Sequence, residues 1–249
     1  MKKVKELARK IPGVIPLYRA MRSIFTRDTE AVFTHIFRGN RFGGKESISG
    51  SGSDLSQTRV IIGELPLLLK KLSVLTMLDI PCGDFYWMNS VDLNGVDYVG
   101  GDIVKEIIQN NEKRKKDRDN LHFRRLNIIT DELLKVDLIF CRDCLVHFCY
   151  ADIFQALCNI CNSDSKYLLT TTFPSQTENQ DIFTGQWRPL NLEISPFDFP
   201  KPLELINEGC TEGDGAYSDK SLGLWRIHDI KRSLATCLFS DIFRSKLMV

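Results

Sequence analysis

Two acidic segments carry the residues best suited to chemistry in this chain. In the first, Asp79-Ile80-Pro81-Cys82-Gly83-Asp84, an apolar run passes into a small turn with one glycine, and in the second an apolar run ends at Asp102. Asp102 follows Gly83 by 19 residues. In βαβ units, an acid roughly 20 residues after a glycine turn binds the ribose hydroxyls of a nucleotide. The spacing therefore predicts a cofactor site of the nucleotide type.

The elements that must position these residues alternate between strand and helix from Val74 onwards. Strands separated by helices form a parallel sheet with right-handed crossovers. We therefore predict an α/β fold with a doubly wound, mostly parallel seven-stranded sheet, helices on both faces and an N-terminal helical extension. The predicted strands are Val74–Ile80, Tyr98–Asp102, His122–Leu126, Val136–Cys141, Tyr167–Thr172, Leu203–Asn207 and Ser221–Ile227. The predicted helices are Thr58–Leu72, which Pro66 splits or starts, Lys105–Arg114, Ala151–Cys161 and a terminal helix from Lys231 to Val249.

Ligands of such a sheet bind beyond the carboxyl ends of the strands. Polar residues follow several of these ends in the sequence, so we expect their side chains to lie together at one edge of the sheet. The residues of this predicted cluster are Asp79, Asp102, Asn127, Arg142 and Asp143, with Phe173 beside them.

The first 57 residues differ from the rest, and we predict a helical extension with a Ser/Gly-rich loop there, followed by a main domain over residues 58–249. Basic and apolar residues alternate near the N-terminus, and a basic amphipathic helix would rest on an anionic membrane. Pro12-Gly13 interrupts it, and the favoured alternative is a helical cap that packs on the main domain. The stretch Gly43–Asp54 is either a flexible linker or a loop that folds over a ligand, and its composition favours the linker.

The charges are nearly balanced, with 33 Lys and Arg residues against 32 Asp and Glu residues. A net charge of +1 gives no reason to expect a nucleic-acid partner. No apolar run of about 18 residues is present in the sequence. We therefore expect a cytoplasmic protein whose eight cysteines are reduced.

Two Cys-x2-Cys pairs have the spacing of a four-thiolate zinc site. Cys141 ends an apolar strand before Cys144, whereas Cys158 and Cys161 lie on the apolar stripe of a helix. Neither pair has the nearby glycine that a tight zinc turn needs. We therefore predict buried structural thiols and no metal site.

From about Thr58 to Ile227 the chain resembles the class I S-adenosylmethionine (SAM)-dependent methyltransferases. The two acidic segments and the segment Cys141–His147 carry this resemblance. The resemblance implies SAM as cofactor, with its methionine part wrapped by the turn after the first strand and its ribose held by Asp102. It also implies that the last two strands pair antiparallel at the sheet edge. The cofactor-binding residues that it implies are Asp79, Pro81, Cys82, Gly83, Asp84, Asp102, Ile103, Asn127, Arg142 and Asp143.

The sequence departs from that family at two points. Asn127 stands where an acid often contacts the adenine amine, and the turn is Pro-Cys-Gly-Asp rather than a Gly-x-Gly run. A dinucleotide needs bare glycines so that backbone amides can approach its pyrophosphate, whereas SAM has no phosphate. Pro81 and Asp84 therefore favour SAM over a dinucleotide as the cofactor. The alternative functions are an NAD-dependent oxidoreductase and a non-catalytic SAM-binding module.

The implied reaction is in-line displacement at the methyl group, in which alignment and the removal of water matter most. If the acceptor is a hydroxyl, a base assists, and His147 is the candidate because the reference pKa of histidine is about 6.5. The alternative is a histidine that only packs or hydrogen-bonds at the start of the next helix. Asp181 is a second candidate base.

A long segment after the fifth strand, residues 179–200, contains aromatic residues and leaves the sheet at its ligand end, which predicts the wall of the acceptor site. Trp187 and Arg188, with Asp181 nearby, suit a sugar or another polyhydroxylated acceptor through stacking and bidentate hydrogen bonds. The alternative is a buried loop anchor in which Arg188 pairs with Asp181.

The Ser/Gly-rich segment, the Pro-Cys-Gly-Asp turn and the segment Thr184–Leu192 are together similar to bacterial-type methyltransferases linked to surface polysaccharide synthesis. That resemblance implies a small or glycan-like acceptor. It also implies that a hydroxyl of Ser51, Ser53 or Thr58 closes over the cofactor.

Overall fold

The computed structural model describes residues 28–115 and 118–234. Its helices are α1 (Thr29–Arg38), α2 (Leu55–Lys71), α3 (Lys105–Arg114) and α4 (Tyr150–Asn162), and residues 227–234 are also helical. Its strands are β1 (Thr76–Asp79), β2 (Asp97–Asp102), β3 (Leu121–Arg125), β4 (Leu138–Cys141), β5 (Tyr167–Thr172), β6 (Glu204–Asn207) and β7 (Ser221–Arg226). Two predictions lie outside the described residues, namely the basic N-terminal segment with its alternative of membrane contact and the part of the terminal helix beyond residue 234.

The strands form one seven-stranded sheet in the order β3-β2-β1-β4-β5-β7-β6. The first five strands are parallel, and Leu78 of β1 lies between Val99 of β2 and Ile139 of β4. β7 runs antiparallel to both β5 and β6. The predicted α/β fold class is confirmed. Because the strand order reverses between β1 and β4, a crevice opens at their carboxyl ends.

Each face of the sheet has its own apolar core, because alternate residues of a strand point to opposite faces. On one face, Leu78 and Ile139 belong to a cluster that includes the buried residues of α4. On the other, Met77 and Leu138 pack with the buried residues of α2. Helices therefore cover both faces, and the carboxyl-terminal edge of the sheet is left for a ligand.

Helix α2 runs without a break from Leu55 to Lys71, with Pro66 inside it. The prediction that Pro66 splits or starts this helix is therefore wrong. Proline removes one backbone hydrogen bond, at a cost of about 3 kcal/mol, but the helix buries Ile61, Leu65, Leu68 and Leu69 against the sheet. Burial of several such side chains contributes about 1.5–3 kcal/mol each and outweighs that cost. The domain boundary predicted after residue 57 falls within this helix.

None of the helices in residues 28–115 and 118–234 is both long and apolar enough to cross a membrane.

Candidate functional site

A cavity of about 570 Å³ opens at the carboxyl ends of the parallel strands. The turns after β1 and β2 form one side of it, and the segments after β4 and β5 form the other. Helix α1 and residues 41–53 border it as well. The cavity lies where the strand order reverses, which is the usual position of a ligand in a doubly wound sheet.

Gly83 in the turn after β1 makes two of the hydrogen bonds that hold this turn in place. The backbone N–H of Gly83 donates to Oδ2 of Asp102 (3.2 Å), and the side-chain amide of Asn111 donates to the carbonyl oxygen of Gly83 (2.8 Å). Gly83 has a φ of 53°, and a Cβ at this position would lie 2.2 Å from Oγ of Ser49. Only glycine fits here without a shift of the neighbouring loop.

Asp102 is buried at the end of β2, with its carboxylate already oriented by backbone groups. Its Oδ1 accepts a hydrogen bond from the N–H of Val104 (2.9 Å), in addition to the bond between Oδ2 and Gly83. A carboxylate has about four acceptor positions, so both oxygens can accept further bonds. Burial raises the pKa of Asp102 to about 6, and the backbone N–H groups act in the opposite direction.

Asp79 ends β1 beneath the same cavity and is 3% exposed. The hydroxyl of Tyr98 donates a hydrogen bond to its Oδ2 at 2.5 Å. Burial raises the pKa of Asp79 to about 8, and the negative charge of Asp102 raises it further. At neutral pH the carboxyl group of Asp79 is therefore mostly protonated, and Asp102 is mostly ionised.

The Ser/Gly-rich segment 43–54 folds over the turn after β1 instead of acting as a linker. The carboxylate of Asp84 accepts hydrogen bonds from Oγ of Ser47 (2.8 Å), from the N–H of Ile48 (3.0 Å) and from Oγ of Ser49 (3.2 Å). Ser47 is fully buried. Composition favours a linker because serine and glycine are polar and flexible. In the structure, however, the carboxylate of Asp84 accepts the hydrogen bonds that fix this segment.

A cluster of charged side chains lies beyond the end of β4. Arg142 donates to Oε2 of Glu208 (2.7 Å) and to the carbonyl oxygen of Gly52 (2.8 Å), and Nζ of Lys220 lies 2.6 Å from Oδ2 of Asp143. Burial lowers the pKa of Arg142, but Asp143 and Glu208 raise it above its usual range. The two cations are therefore matched by two carboxylates within the cluster.

His147 lines the cavity four residues after Asp143. Its Nδ1 lies 2.9 Å from the carbonyl oxygen of Gln186, and its ring packs on Phe42 with the centroids 4.6 Å apart. A carbonyl only accepts, so Nδ1 carries the proton and Nε2 keeps its lone pair. Burial lowers the pKa of His147, while the Gln186 carbonyl and Asp143 act in the opposite direction. A neutral imidazole with a free Nε2 can accept a proton.

Three aromatic rings form a wall on the far side of the cavity, hereafter the aromatic wall. Trp187 meets Tyr217 edge to face, with centroids 4.8 Å apart, and both rings lie about 6 Å from that of Phe173. Trp187 is 40% exposed, whereas Phe173 is buried. Within the described part of the chain, neither the indole N–H of Trp187 nor the hydroxyl of Tyr217 has a hydrogen-bond partner.

The other predicted site residues divide into two groups. Pro81, Cys82, Ile103 and Asn127 line the cavity with the residues described above, as do Ser51 and Ser53. Asn127 caps its own turn, since its Oδ1 accepts from the N–H of Ile129 at 2.9 Å. Thr58 does not reach the cavity, because it is fully buried and donates to the carbonyl oxygen of Asp54.

Asp181 and Arg188 lie outside the lining of the cavity, contrary to the prediction. The guanidinium group of Arg188 donates to the carbonyl oxygens of Gln180, Leu145 and Phe148 at 2.8–3.1 Å. Asp181 instead accepts the N–H of Tyr150 at 2.7 Å and so supports the start of α4. Arg188 is thus a buried anchor of the segment that carries Trp187, but backbone carbonyls, and not Asp181, are its hydrogen-bond partners.

Several cavity residues were not predicted from the sequence. Arg41 and Phe42 follow α1, and Glu212, Tyr217 and Lys220 lie between β6 and β7. Glu212 and Lys220 sit in a polar connection, which the sequence marks only as a loop. Phe42 adjoins the Ser/Gly-rich stretch, and an aromatic residue beside such a stretch is an indication from the sequence that the stretch folds onto the domain.

The two Cys-x2-Cys pairs lie in different elements, with Cys141 in β4 and with Cys158 and Cys161 in α4. Among residues 28–115 and 118–234, no three His, Cys, Asp or Glu side chains are placed to hold a metal ion.

No protein-family model matches the chain, and no curated protein does. Among solved structures, human N-acetylserotonin methyltransferase in complex with SAM is similar over 83% of this chain and 61% of its own, with 14% identity and a TM-score of 0.57. Magnesium protoporphyrin IX methyltransferase from Synechocystis PCC 6803 with bound SAM is similar over 63% of this chain and 81% of its own, with 14% identity and a TM-score of 0.48. TehB from Haemophilus influenzae is similar over 66% of this chain and 61% of its own, with 16% identity and a TM-score of 0.49.

The likeness to the human enzyme concerns the fold. The chain has the Rossmann-like α/β fold of SAM-dependent methyltransferases, with seven strands and an antiparallel edge. It spans 61% of the length of the human enzyme.

Proposed function

We propose that this protein transfers a methyl group from SAM to a hydroxyl group of a small or glycan-like acceptor. The observation that carries the proposal is the single cavity that Asp102, His147 and Trp187 all line. A ribose-binding acid, a neutral imidazole and an aromatic surface thus face one space. The fold supports the class of reaction, and the cavity supports the assignment of roles.

The residues around β1 and β2 fit an adenosine cofactor without phosphates. Asp102 has acceptor capacity for two ribose hydroxyls, and Ile103 and Asn127 line the adjoining part of the cavity for the adenine. Oγ of Ser49 stands over Gly83 and donates a hydrogen bond to the carboxylate of Asp84 at 3.2 Å. A pyrophosphate would meet both groups where it needs open backbone amides. These contacts favour SAM over a dinucleotide.

Bound SAM supplies a methyl group on a positively charged sulfur. The roles of this chain are to hold the acceptor oxygen in line with that methyl group, to exclude water and to accept the proton that the hydroxyl loses. Nε2 of His147 is the proton acceptor in this proposal, because the carbonyl oxygen of Gln186 fixes the proton on Nδ1. Phe42 packs on the imidazole and limits its rotation.

The aromatic wall supports a ring-shaped hydroxyl acceptor. The exposed part of Trp187 offers a surface for the apolar face of a sugar ring, and its N–H and the hydroxyl of Tyr217 are polar groups beside that surface. Aromatic contact with adjacent hydrogen bonding is the combination that a polyhydroxylated ring needs. A link to surface polysaccharide synthesis belongs to this proposal through the resemblance of the sequence motifs alone.

Methyl transfer is tested with the purified protein, SAM and a panel of monosaccharides and sugar derivatives. Release of S-adenosylhomocysteine (SAH) is measured, and products are analysed by mass spectrometry for methylated oxygen. We expect transfer to a hydroxyl group, with SAH release that depends on the acceptor. Transfer to nitrogen or carbon would overturn the hydroxyl assignment, and saturable SAH binding without any transfer from SAM would favour the non-catalytic binding module.

A further inference from the structure

The cations that line the cavity differ in whether their charge is matched. Three cationic side chains, Arg41, Arg142 and Lys220, belong to the lining. Arg142 and Lys220 lie within the charged cluster and are matched by Glu208 and Asp143. Within the described ranges the guanidinium group of Arg41 has no ion pair or hydrogen bond, although its backbone N–H does. Arg41 is the lining cation whose charge is left for a ligand.

The position of Arg41 is set by the end of helix α1. The N–H of Arg41 donates to the carbonyl oxygen of Ile36 (3.0 Å), after Asn40 has turned the chain with a φ of 42°. Arg38, one turn earlier, forms an ion pair with Glu106 of α3, and Nη2 of the arginine lies 2.5 Å from Oε1 of the glutamate. The chain therefore holds one arginine in a surface ion pair and presents the next one to the cavity.

Arg41 is also placed on the acceptor side of the cavity. The next residue, Phe42, packs against the ring of His147, which the proposed function assigns as the base. The residues assigned to the cofactor, Asp102 for the ribose and the Gly83 turn for the methionine part, lie at the end of strand β2 and after strand β1, and not after helix α1. An anionic group bound at Arg41 would therefore belong to a molecule that reaches His147.

We infer that the acceptor carries an anionic group, a phosphate or a carboxylate, and that Arg41 is the residue that selects for it. This inference rests on the proposed function and narrows its acceptor class from a sugar to an acidic or phosphorylated sugar. A guanidinium group binds both anions through two parallel hydrogen bonds, so the chemistry is shared. The aromatic wall would contact the sugar ring, and Arg41 would bind the anionic group. Nε2 of His147 would accept the proton of the hydroxyl that is methylated.

Calorimetric titration of SAH-saturated protein with matched pairs of sugars tests this inference. The pairs are glucose with glucose 6-phosphate, and galactose with galacturonate, so that the phosphate and the carboxylate are separated. We expect at least one anionic member to bind about 5- to 10-fold more tightly than its neutral partner, as one exposed charge-assisted pair allows. Arg41→Gln should remove this preference, Arg41→Lys should restore part of it, and the control Arg38→Gln should leave it unchanged.

The outcomes separate this inference from the proposed function. Equal binding of the neutral and anionic members, or binding of none of the four, would overturn the selection by charge, as would a preference that persists in Arg41→Gln. Affinity for SAH serves as the second readout. If Arg41→Gln lost SAH binding while still folded, judged by circular dichroism, Arg41 would hold the cofactor carboxylate and the inference would be wrong. If the unaltered protein did not bind SAH, the proposed function itself would fail.

Discussion

The two sides of the cavity are built differently. On the side of β1 and β2, the polar groups are buried and already hydrogen-bonded, as Asp79 is to Tyr98 and Asp102 is to two backbone N–H groups. On the side of His147 and the aromatic wall, polar atoms are half-exposed and partly free. A preformed pocket suits a cofactor that is the same in every turnover. Polar atoms without a hydrogen-bond partner on an aromatic surface can bind the acceptor. We therefore expect substitutions on the cofactor side to weaken SAH binding and substitutions on the acceptor side to impair turnover.

Replacement of His147 by glutamine on the acceptor side should give the largest effect. A glutamine can still donate to the Gln186 carbonyl but cannot act as a base, so we expect turnover to fall by about 100-fold or more. The affinity for SAH should change little. Turnover is measured by SAH release with a saturating acceptor. Activity equal to that of the unaltered protein would show that no base is needed or that another residue supplies it.

Replacement of Asp79 by asparagine should change how stability depends on pH. The pKa of Asp79 is raised from 3.8 to about 8 in the folded protein. Its contribution to stability is therefore fully present below about pH 4 and is lost as pH rises towards 8. Between pH 5 and pH 7 the unaltered protein should lose about 2–3 kcal/mol of unfolding free energy from this group. Asparagine cannot ionise, so the variant should lack this loss.

Urea unfolding at the two pH values, followed by circular dichroism, measures this prediction. The hydroxyl of Tyr98 can still donate to the amide oxygen of the variant, so the core geometry is kept. The same change in unfolding free energy between pH 5 and pH 7 in both proteins would mean that Asp79 is ionised in the folded state and that water reaches the cofactor side of the cavity.

Asp102→Asn on the cofactor side should weaken the binding of SAH. The variant keeps one acceptor oxygen but loses the charge that strengthens bonds to ribose hydroxyls, so SAH affinity should fall by about 10-fold. Because burial raises the pKa of Asp102 to about 6, SAH affinity of the unaltered protein should also fall as pH drops below that value. Asp97→Asn, at the exposed opposite end of the same strand, is the matched control. Equal SAH affinity in the two variants would remove Asp102 from the cofactor site.

Trp187→Ala should have the smallest effect, on the acceptor alone. Loss of one partly exposed aromatic surface should raise the KM for a sugar acceptor by about 5-fold, with SAH affinity unchanged. Trp187→Phe keeps an aromatic ring but removes the indole N–H, so its KM for the sugar acceptor should lie between those of the unaltered protein and Trp187→Ala. Steady-state kinetics with varied acceptor measure both variants. A change in SAH affinity with no change in KM would place Trp187 on the cofactor side of the cavity instead of the acceptor side.

The sheet and the cofactor side were largely predictable because their determinants are local. β5 and α3 have the predicted bounds, and β1 and β4 start two residues later than predicted. Apolar runs and their spacing set these elements. The turn after β1 and the acid after β2 also carry their spacing in the sequence, and both line the cavity.

The acceptor side was less predictable because its contacts join distant parts of the chain. The type and neighbours of Arg188 fit both an acceptor ligand and a buried anchor, and only the fold shows that three backbone carbonyls accept its hydrogen bonds. The Ser/Gly-rich segment is fixed by Asp84, more than thirty residues away. No local pattern encodes such long-range partners, and for the same reason Arg41 and Tyr217 were not singled out.

Calorimetric titration with SAH, with NAD as a parallel titrant, measures whether the cavity binds SAM. The structure predicts saturable binding of one SAH per chain and no binding of NAD, because Ser49 and Asp84 crowd the turn at Gly83. Binding of NAD alone, or of neither compound, would show that the cavity is not a SAM site.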